Sequence, residues 1–183
     1  MTDVMIDLET LNTSPDAVVL TLGAVKFKRS GPAQTLKDMD HFYTRIELQS
    51  CLDAGLSISQ ETKAWWDQQS AEARHEALIH KDRIPLKEAL LKFRDWFGDS
   101  RYIWSHGATF DCVILEQAYK ACNLPTPWKF WSARDTRTLF DLAGVKIKDF
   151  PISVAHHALH DAFRQVLATK ASIEKLGLYK TKK

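Results

Sequence analysis

The first quarter of the chain carries its apolar residues at strand spacing, and the remainder carries them at helical spacing. Residues 4–10 form an apolar run interrupted by carboxylates at two alternate positions, Asp7 and Glu9. Strand side chains alternate between faces, so both acids are expected to project from one face. Residues 18–27, apolar and β-branched, and the alternating residues 41–46 predict two further strands. A polar loop at 11–16 and a Ser-Gly-Pro turn at 30–32 separate them, giving an antiparallel meander.

From Ser59 the pattern becomes helical. Residues 59–62 open a helix carrying Trp65 and Trp66, and Ser70 is the expected N-cap of another. Pro85 opens a third, ending near Gly98, with Leu86, Ala89, Leu90, Phe93 and Phe97 as its apolar face. A short strand at 102–104 leads through His106 and Gly107 into a helix from about 109 to 122. Helices are also expected at 134–143, stopped by Gly144, and at 158–176, stopped by Gly177. The expected fold is α/β: a mixed sheet of three antiparallel strands plus shorter parallel ones, with helices on both faces.

A length of 183 residues favours one domain, taken as 1–178, with 179–183 expected to be a disordered basic tail. Hydrophobic content of 45% and charged content of 26% are those of a soluble globular protein. The net charge of +2 rules out affinity for nucleic acid through overall charge and requires a local basic patch. Arg134, Arg137, Lys146 and Lys148 are candidates for such a rim. Cys51, Cys112 and Cys122 form no C-x-x-C pair and cannot all pair, which favours a reducing compartment. The longest apolar stretch, 17–25, is too short for a bilayer and no secretory leader precedes the first strand. The expectation is a cytoplasmic protein with no membrane partner.

The candidate chemistry lies in three acidic positions and one histidine cluster. Two acids side by side in an apolar strand repel and are costly to bury unless a cation neutralises them. Hard carboxylate oxygens suit Mg²⁺ or Mn²⁺. Asp111 falls in the first turn of a helix that follows a strand, where an acid also favours the helix dipole. Asp161 falls in the first turns of the last helix, with His156 five residues earlier, at its entrance. His157 and His160 are read as a partly solvated cluster outside the chemistry. Zinc is discounted, because the other candidate ligands are carboxylates and no thiolate pair exists.

Asp7-x-Glu9-Thr10, then Phe110-Asp111, then His156-x-Ala158-x-x-Asp161-Ala162 resembles the DEDDh 3′–5′ exonucleases, which have a ribonuclease H-like fold. The match covers nearly the whole chain in the expected order. The segment Glu61-Thr62-Lys63-Ala64-Trp65-Trp66-Asp67-Gln68-Gln69-Ser70-Ala71-Glu72-Ala73-Arg74 looks like the exonuclease VIII-like branch of bacteria and phages, which includes 3′–5′ exoribonucleases. Gly107 departs from the pattern, since many relatives carry Asn after the His.

The resemblance implies two divalent cations, Mg²⁺ or Mn²⁺. Asp7 would bridge both, Glu9 and Asp161 would complete the first site, Asp111 would hold the second, and His156 would be the general base. Two such ions can clamp a phosphate, and an imidazole can accept a proton near neutral pH. The implied partner is single-stranded DNA or RNA with a free 3′ end, cut to nucleoside 5′-monophosphates; a homodimer stays open. Thr10, Leu11 and Asn12 are expected to shape the terminal-nucleotide pocket, with Leu11 as an apolar wedge. Phe110 is placed either under a base or in the core. One of Trp65 and Trp66 is expected in the core and the other at the groove or a subunit contact. An endonuclease on the same fold and a binding module with a vestigial site are the alternatives. The His156-to-Asp161 spacing argues against the first, and the intact set of clustered acids against the second.

Overall fold

The computed structural model describes residues 2–32 and 34–178; the tail expected at 179–183 lies outside the described residues. Three strands, β1 (Asp3–Thr10), β2 (Val19–Phe27) and β3 (His41–Arg45), form the antiparallel meander. Two short strands, β4 (Ile103–Ser105) and β5 (Ala133–Asp135), add to β1 in parallel, so the sheet order is β3-β2-β1-β4-β5. The helices are α1 (Leu48–Asp53), α2 (Gln60–Asp67), α3 (Ala71–Arg74), α4 (Leu86–Phe97), α5 (Asp111–Ala121), α6 (Thr136–Ala143) and α7 (Ala158–Lys175). A π-helical turn, His75–Ile79, continues α3.

The period-2 pattern of β1 sorts its side chains as expected. Val4, Ile6 and Leu8 enter a core with Leu90 and Phe93 of α4 and Ile114 and Leu115 of α5. Met5, on the opposite face, packs with Val25 and Phe27 of β2 and with Leu159, Ala162 and Val166 of α7. Helices therefore cover both faces, and Asp7 and Glu9 share the α7 face. None of the described helices is long and apolar enough to cross a membrane.

Two expectations need correction. The helix expected over 134–143 begins only at Thr136, because Arg134 and Asp135 extend β5 against Trp104 and Ser105. Asp135 is instead the N-cap, its carboxylate accepting from the Thr138 amide at 2.9 Å. The helix expected from 109 begins at Asp111, because Gly107 to Phe110 make a turn in which the Phe110 amide donates to the Gly107 carbonyl. Helix α1 was not foreseen.

The feature that positions the site is the approach of α7 to β2. Gly23 pairs with Asp7 in the antiparallel ladder, and α7 starts directly above it. A Cβ on Gly23 would lie 2.3 Å from both the Ala158 carbonyl carbon and the Leu159 nitrogen. Those are backbone atoms, so the helix itself would have to move. Glycine at 23 thus sets how closely the turn carrying Asp161 lies over Asp7. Gly23→Ala is expected to destabilise the protein by about 1–3 kcal/mol, the usual penalty for overpacking. Urea unfolding checks this; a variant as stable as the wild type would mean that α7 is not held at contact distance.

Candidate active site

The site lies at the carboxyl-terminal halves of β1 and β4, where β1 has an antiparallel neighbour on one side and a parallel one on the other. Such a reversal leaves a crevice in an open α/β sheet. The crevice is a cleft of about 730 Å³, with Asp7, Glu9, Asp111 and Asp161 all in its lining.

Each acid arrives by a different local device. Asp7 and Glu9 come from alternation along β1, and the ladder shifts register between Glu9 and Thr10, a bulge of the kind that re-aims side chains. Asp111 opens α5. The ladder of β1 with β4 runs over Val4 and Met5, and farther along β1 the Leu8 amide donates to Asp111 Oδ1 at 3.1 Å. Asp161 sits in the first turn of α7, and Gln165, one turn on, donates to Asp7 Oδ1 at 2.7 Å. One oxygen each from Asp7, Glu9 and Asp161 lies within 4.8 Å of the others.

Burial and mutual repulsion resist ionisation of this group. Burial, then the charges of Asp111, Glu9 and Asp161, push the Asp7 carboxyl well up. Glu9 is pushed up to about 8 by burial and by Asp161 and Asp111. Burial raises Asp111 to about 7, against the pull of the Leu8 amide. Asp161 is raised by burial, with the His156 charge and nearby amides opposing. An all-oxygen donor set that repels itself when ionised fits a divalent cation.

His156 lies in the lining on the strap before α7, in a left-handed conformation (φ 58°) that a non-glycine residue seldom adopts. Its ring meets the edge of Trp65 at 5.0 Å and of Trp66 at 6.3 Å. The next residue, His157, is the N-cap of α7 and is anchored on the opposite side. It stacks on Tyr43 at 4.6 Å and on His160 at 4.2 Å. Its Nε2 faces Glu76 Oε1 at 3.9 Å. Glu76, from the π-helical turn, accepts two hydrogen bonds from Arg45 and one from the Tyr43 hydroxyl. Burial opposes its charge, yet these donors hold it down at about 2. His157 and His160 are therefore half-buried polar residues of the frame that fixes the strap, the partly solvated cluster that was expected.

The remaining residues divide. Thr10 and Phe110 line the cleft, and Phe110 also packs against the core. Leu11 does not line it: it is 4% exposed, with its amide bonded to Val18 and its carbonyl to Ser59. Asn12 does not either; its amide nitrogen donates to Ser57 Oγ and its oxygen caps Thr13 and Ser14. The loop contributes Thr13 to the cleft instead. Trp66 is the core tryptophan, 1% exposed, its Nε1 donating to the Thr10 carbonyl. Trp65, 41% exposed, is the cleft tryptophan. Of the basic rim, Arg137 lines the cleft, whereas Arg134 lies over Tyr102 at 4.0 Å, and Lys146 and Lys148 are outside the lining. Arg164, Gln165, Glu61 and His106 belong to the lining and were not foreseen as site residues. Arg164 and Gln165 were findable in principle, three and four residues from Asp161 on one helical face.

The model of the family described as the 3′–5′ exoribonuclease Rv2179c-like domain matches residues 2–173. The chain belongs to this family. As an Rv2179c-like domain it is an exonuclease. It is 25% identical over 207 residues to the exodeoxyribonuclease of Enterobacteria phage T4, covering 94% of this chain and 89% of the phage protein. Among solved structures, cell-death related nuclease 4 (CRN-4) superimposes with a TM-score of 0.63 at 14% identity, over 94% of this chain and 64% of that one. The zinc-bound complex of E. coli ExoI with single-stranded DNA gives 0.58 at 15% identity, over 98% and 41%. S. pombe Pop2p in its Mg²⁺- and Mn²⁺-bound form gives 0.58 at 11%, over 94% and 82%. The Rv2179c-like chain thus spans less than two thirds of the first two structures. At these identities the likeness is one of fold, and the fold is ribonuclease H-like.

The raised acids dictate how the metal-free protein responds to pH. Folded Glu9 and Asp111 keep protons that the unfolded chain has already released, so folding takes up protons between roughly pH 4 and pH 8. Stability in chelator should therefore fall as pH rises through that window. Melting temperatures between pH 5 and pH 8 check this, and Glu9→Gln should flatten the slope. A melting temperature that climbs with pH in chelator would contradict the burial of these acids.

Proposed function

We propose that this chain is a metal-dependent DEDDh-type 3′–5′ exonuclease that shortens single-stranded nucleic acid by one nucleoside 5′-monophosphate at a time. The observation that carries the reading is the convergence of Asp7, Glu9 and Asp161 within 4.8 Å in a cleft that Asp111 also lines. Asp7, Glu9 and Asp161 would hold one divalent cation, Mg²⁺ or Mn²⁺, and Asp7 with Asp111 a second. Bound there, the cations would supply the positive charge that draws in the scissile phosphate and offsets the charge developing on it.

The protein's own groups do the rest. Gln165 fixes one oxygen of Asp7, and the Leu8 amide fixes one oxygen of Asp111, so both carboxylates meet the substrate already oriented. His156, held between the tryptophans and the anchored His157, accepts the proton of the attacking water. The water oxygen bonds to phosphorus, the bond from phosphorus to O3′ of the penultimate nucleotide breaks, and that oxygen leaves as the new 3′-hydroxyl. The released nucleotide keeps the phosphate on its 5′ carbon. Trp65 offers an open ring beside His156, suited to stacking on the terminal base. The free thiols of Cys51, Cys112 and Cys122 support a reducing, cytoplasmic setting.

End-labelled single strands incubated with Mn²⁺ test the reading. A ladder of products shortened from the 3′ end is expected, and it should vanish in excess EDTA. Internal cuts would indicate an endonuclease, and binding without cleavage a binding module. In the same assay Asp7→Ala should fall below about a tenth of the wild-type rate, a loss above ~1.4 kcal/mol of transition-state stabilisation. His156→Ala should lose roughly 10²–10⁴, while His160→Ala should stay within about tenfold of wild type. A dead His160→Ala beside an active His156→Ala would reassign the base. Matched DNA and RNA strands in single turnover identify the preferred sugar.

A further inference from the structure

The cleft has two chemically different walls. One carries Thr13, Glu61, Thr62 and Trp65, with no lysine or arginine in its lining. The other carries Arg137 from α6 and Arg164 from α7. We term the carboxylates of Asp7 and Glu9 on β1, and of Asp111 and Asp161 in the first turns of α5 and α7, the floor.

The state of the two guanidinium groups is unusual for their surroundings. Five carboxylates, those of Asp7, Glu9, Glu61, Asp111 and Asp161, share the cleft, yet among the described residues neither arginine has a carboxylate oxygen within ion-pair distance. Arg164 donates through Nε to the Ile147 carbonyl at 3.0 Å, a single backbone contact. Arg137 makes no hydrogen bond to any described residue and lies against Gly107. A Cβ there would stand 3.4 Å from Arg137 Cζ and 3.5 Å from its Nε. The φ of +114° at Gly107 also disfavours any side chain, so the loop before α5 leaves room for the guanidinium.

The direction of the strand follows from charge. A terminal nucleoside brings no negative charge beyond the scissile phosphate, which belongs over the floor. Its base suits the Trp65 wall, where Glu61 would repel further phosphates. The rest of the strand, a polyanion, suits the arginine wall, because planar guanidinium forks match phosphate oxygens.

Resting on the exonuclease reading above, we propose that Arg137 and Arg164 form a subsite for the phosphate one nucleotide upstream of the scissile one. The substrate class is then any strand that carries this second phosphate: a trinucleotide or longer, or a dinucleotide with a 5′-phosphate. A dinucleotide with a 5′-hydroxyl leaves the subsite empty and is a poor substrate. Digestion of 5′-hydroxyl strands therefore stalls at the dinucleotide, and digestion of 5′-phosphorylated strands runs to mononucleotides.

The test compares kcat/KM for one dinucleotide sequence with and without its 5′-phosphate, with a long single strand as reference. The phosphorylated form should be favoured by roughly 10–100-fold, the worth of one or two hydrogen bonds to a charged group. In Arg137→Ala Arg164→Ala, confirmed as folded by its melting curve, that ratio should collapse towards one; Arg137→Lys, which keeps the charge and loses the fork, should retain part of it. Equal rates on the two dinucleotides in the wild type would overturn the subsite, as would a ratio that survives in the double variant. Failure to cut even the long strand would instead overturn the exonuclease reading.

Discussion

The mutual repulsion of four carboxylates in one cleft is the constraint around which this fold is arranged. Asp7 and Glu9 are held side by side by strand alternation, and the turn carrying Asp161 is lowered onto them by the contact of Ala158 with Gly23. Asp111 is moored to the same strand through the Leu8 amide. Left to itself this arrangement would relax by taking up protons, which is what the elevated Glu9 and Asp111 express. It persists because the framework is rigid: α7 packs Leu159, Ala162 and Val166 into the apolar core on that face. A cluster of this kind suits a divalent cation, the basis of the proposed mechanism.

Around the acids, the polar residues divide into those that hold the frame and those left open. Glu76 is saturated by Arg45 and Tyr43, and with them it fixes His157. The strap is thereby anchored one residue beyond His156, whose own ring faces the cleft against Trp65. Thr136 ties the end of β4 to the start of α6 by donating to the Ser105 carbonyl and contacting His106 Nδ1 at 2.9 Å. Arg137 and Arg164 stand apart from this saturation. Their open donors are the basis on which the proposed phosphate subsite would give a bound strand a direction.

Much of this was legible in the chain itself. The meander, the sheet with helices on both faces and the family followed from a period-2 run, a few caps and stops, and an ordered set of short motifs. What stayed hidden depended on contacts distant in sequence. Strand β5 is three residues long, and its only signature is its pairing with β4. Leu11 reads as a loop residue free to face a base, but hydrogen bonds to Val18 and Ser59 turn it inward. The role of Glu76 rests on a π-helical turn and on partners in β3, neither of which helical periodicity announces. The adjacent tryptophans were expected to diverge; which one is buried was decided by the bond from Trp66 to Thr10.

The most direct test of the account is the proton balance of cation binding. If buried Glu9 and Asp111 are partly protonated at pH 7 in the metal-free protein, a divalent cation must displace those protons to use the oxygens. Isothermal titration of Mn²⁺ into the metal-free protein at pH 7, in two buffers of different ionisation enthalpy, measures this. The expected result is an observed heat that differs between the buffers in the sense of net proton release, and that difference should shrink in Glu9→Gln. Binding heats identical in both buffers, or no Mn²⁺ binding at all, would contradict the claim that repulsion among buried acids organises the site.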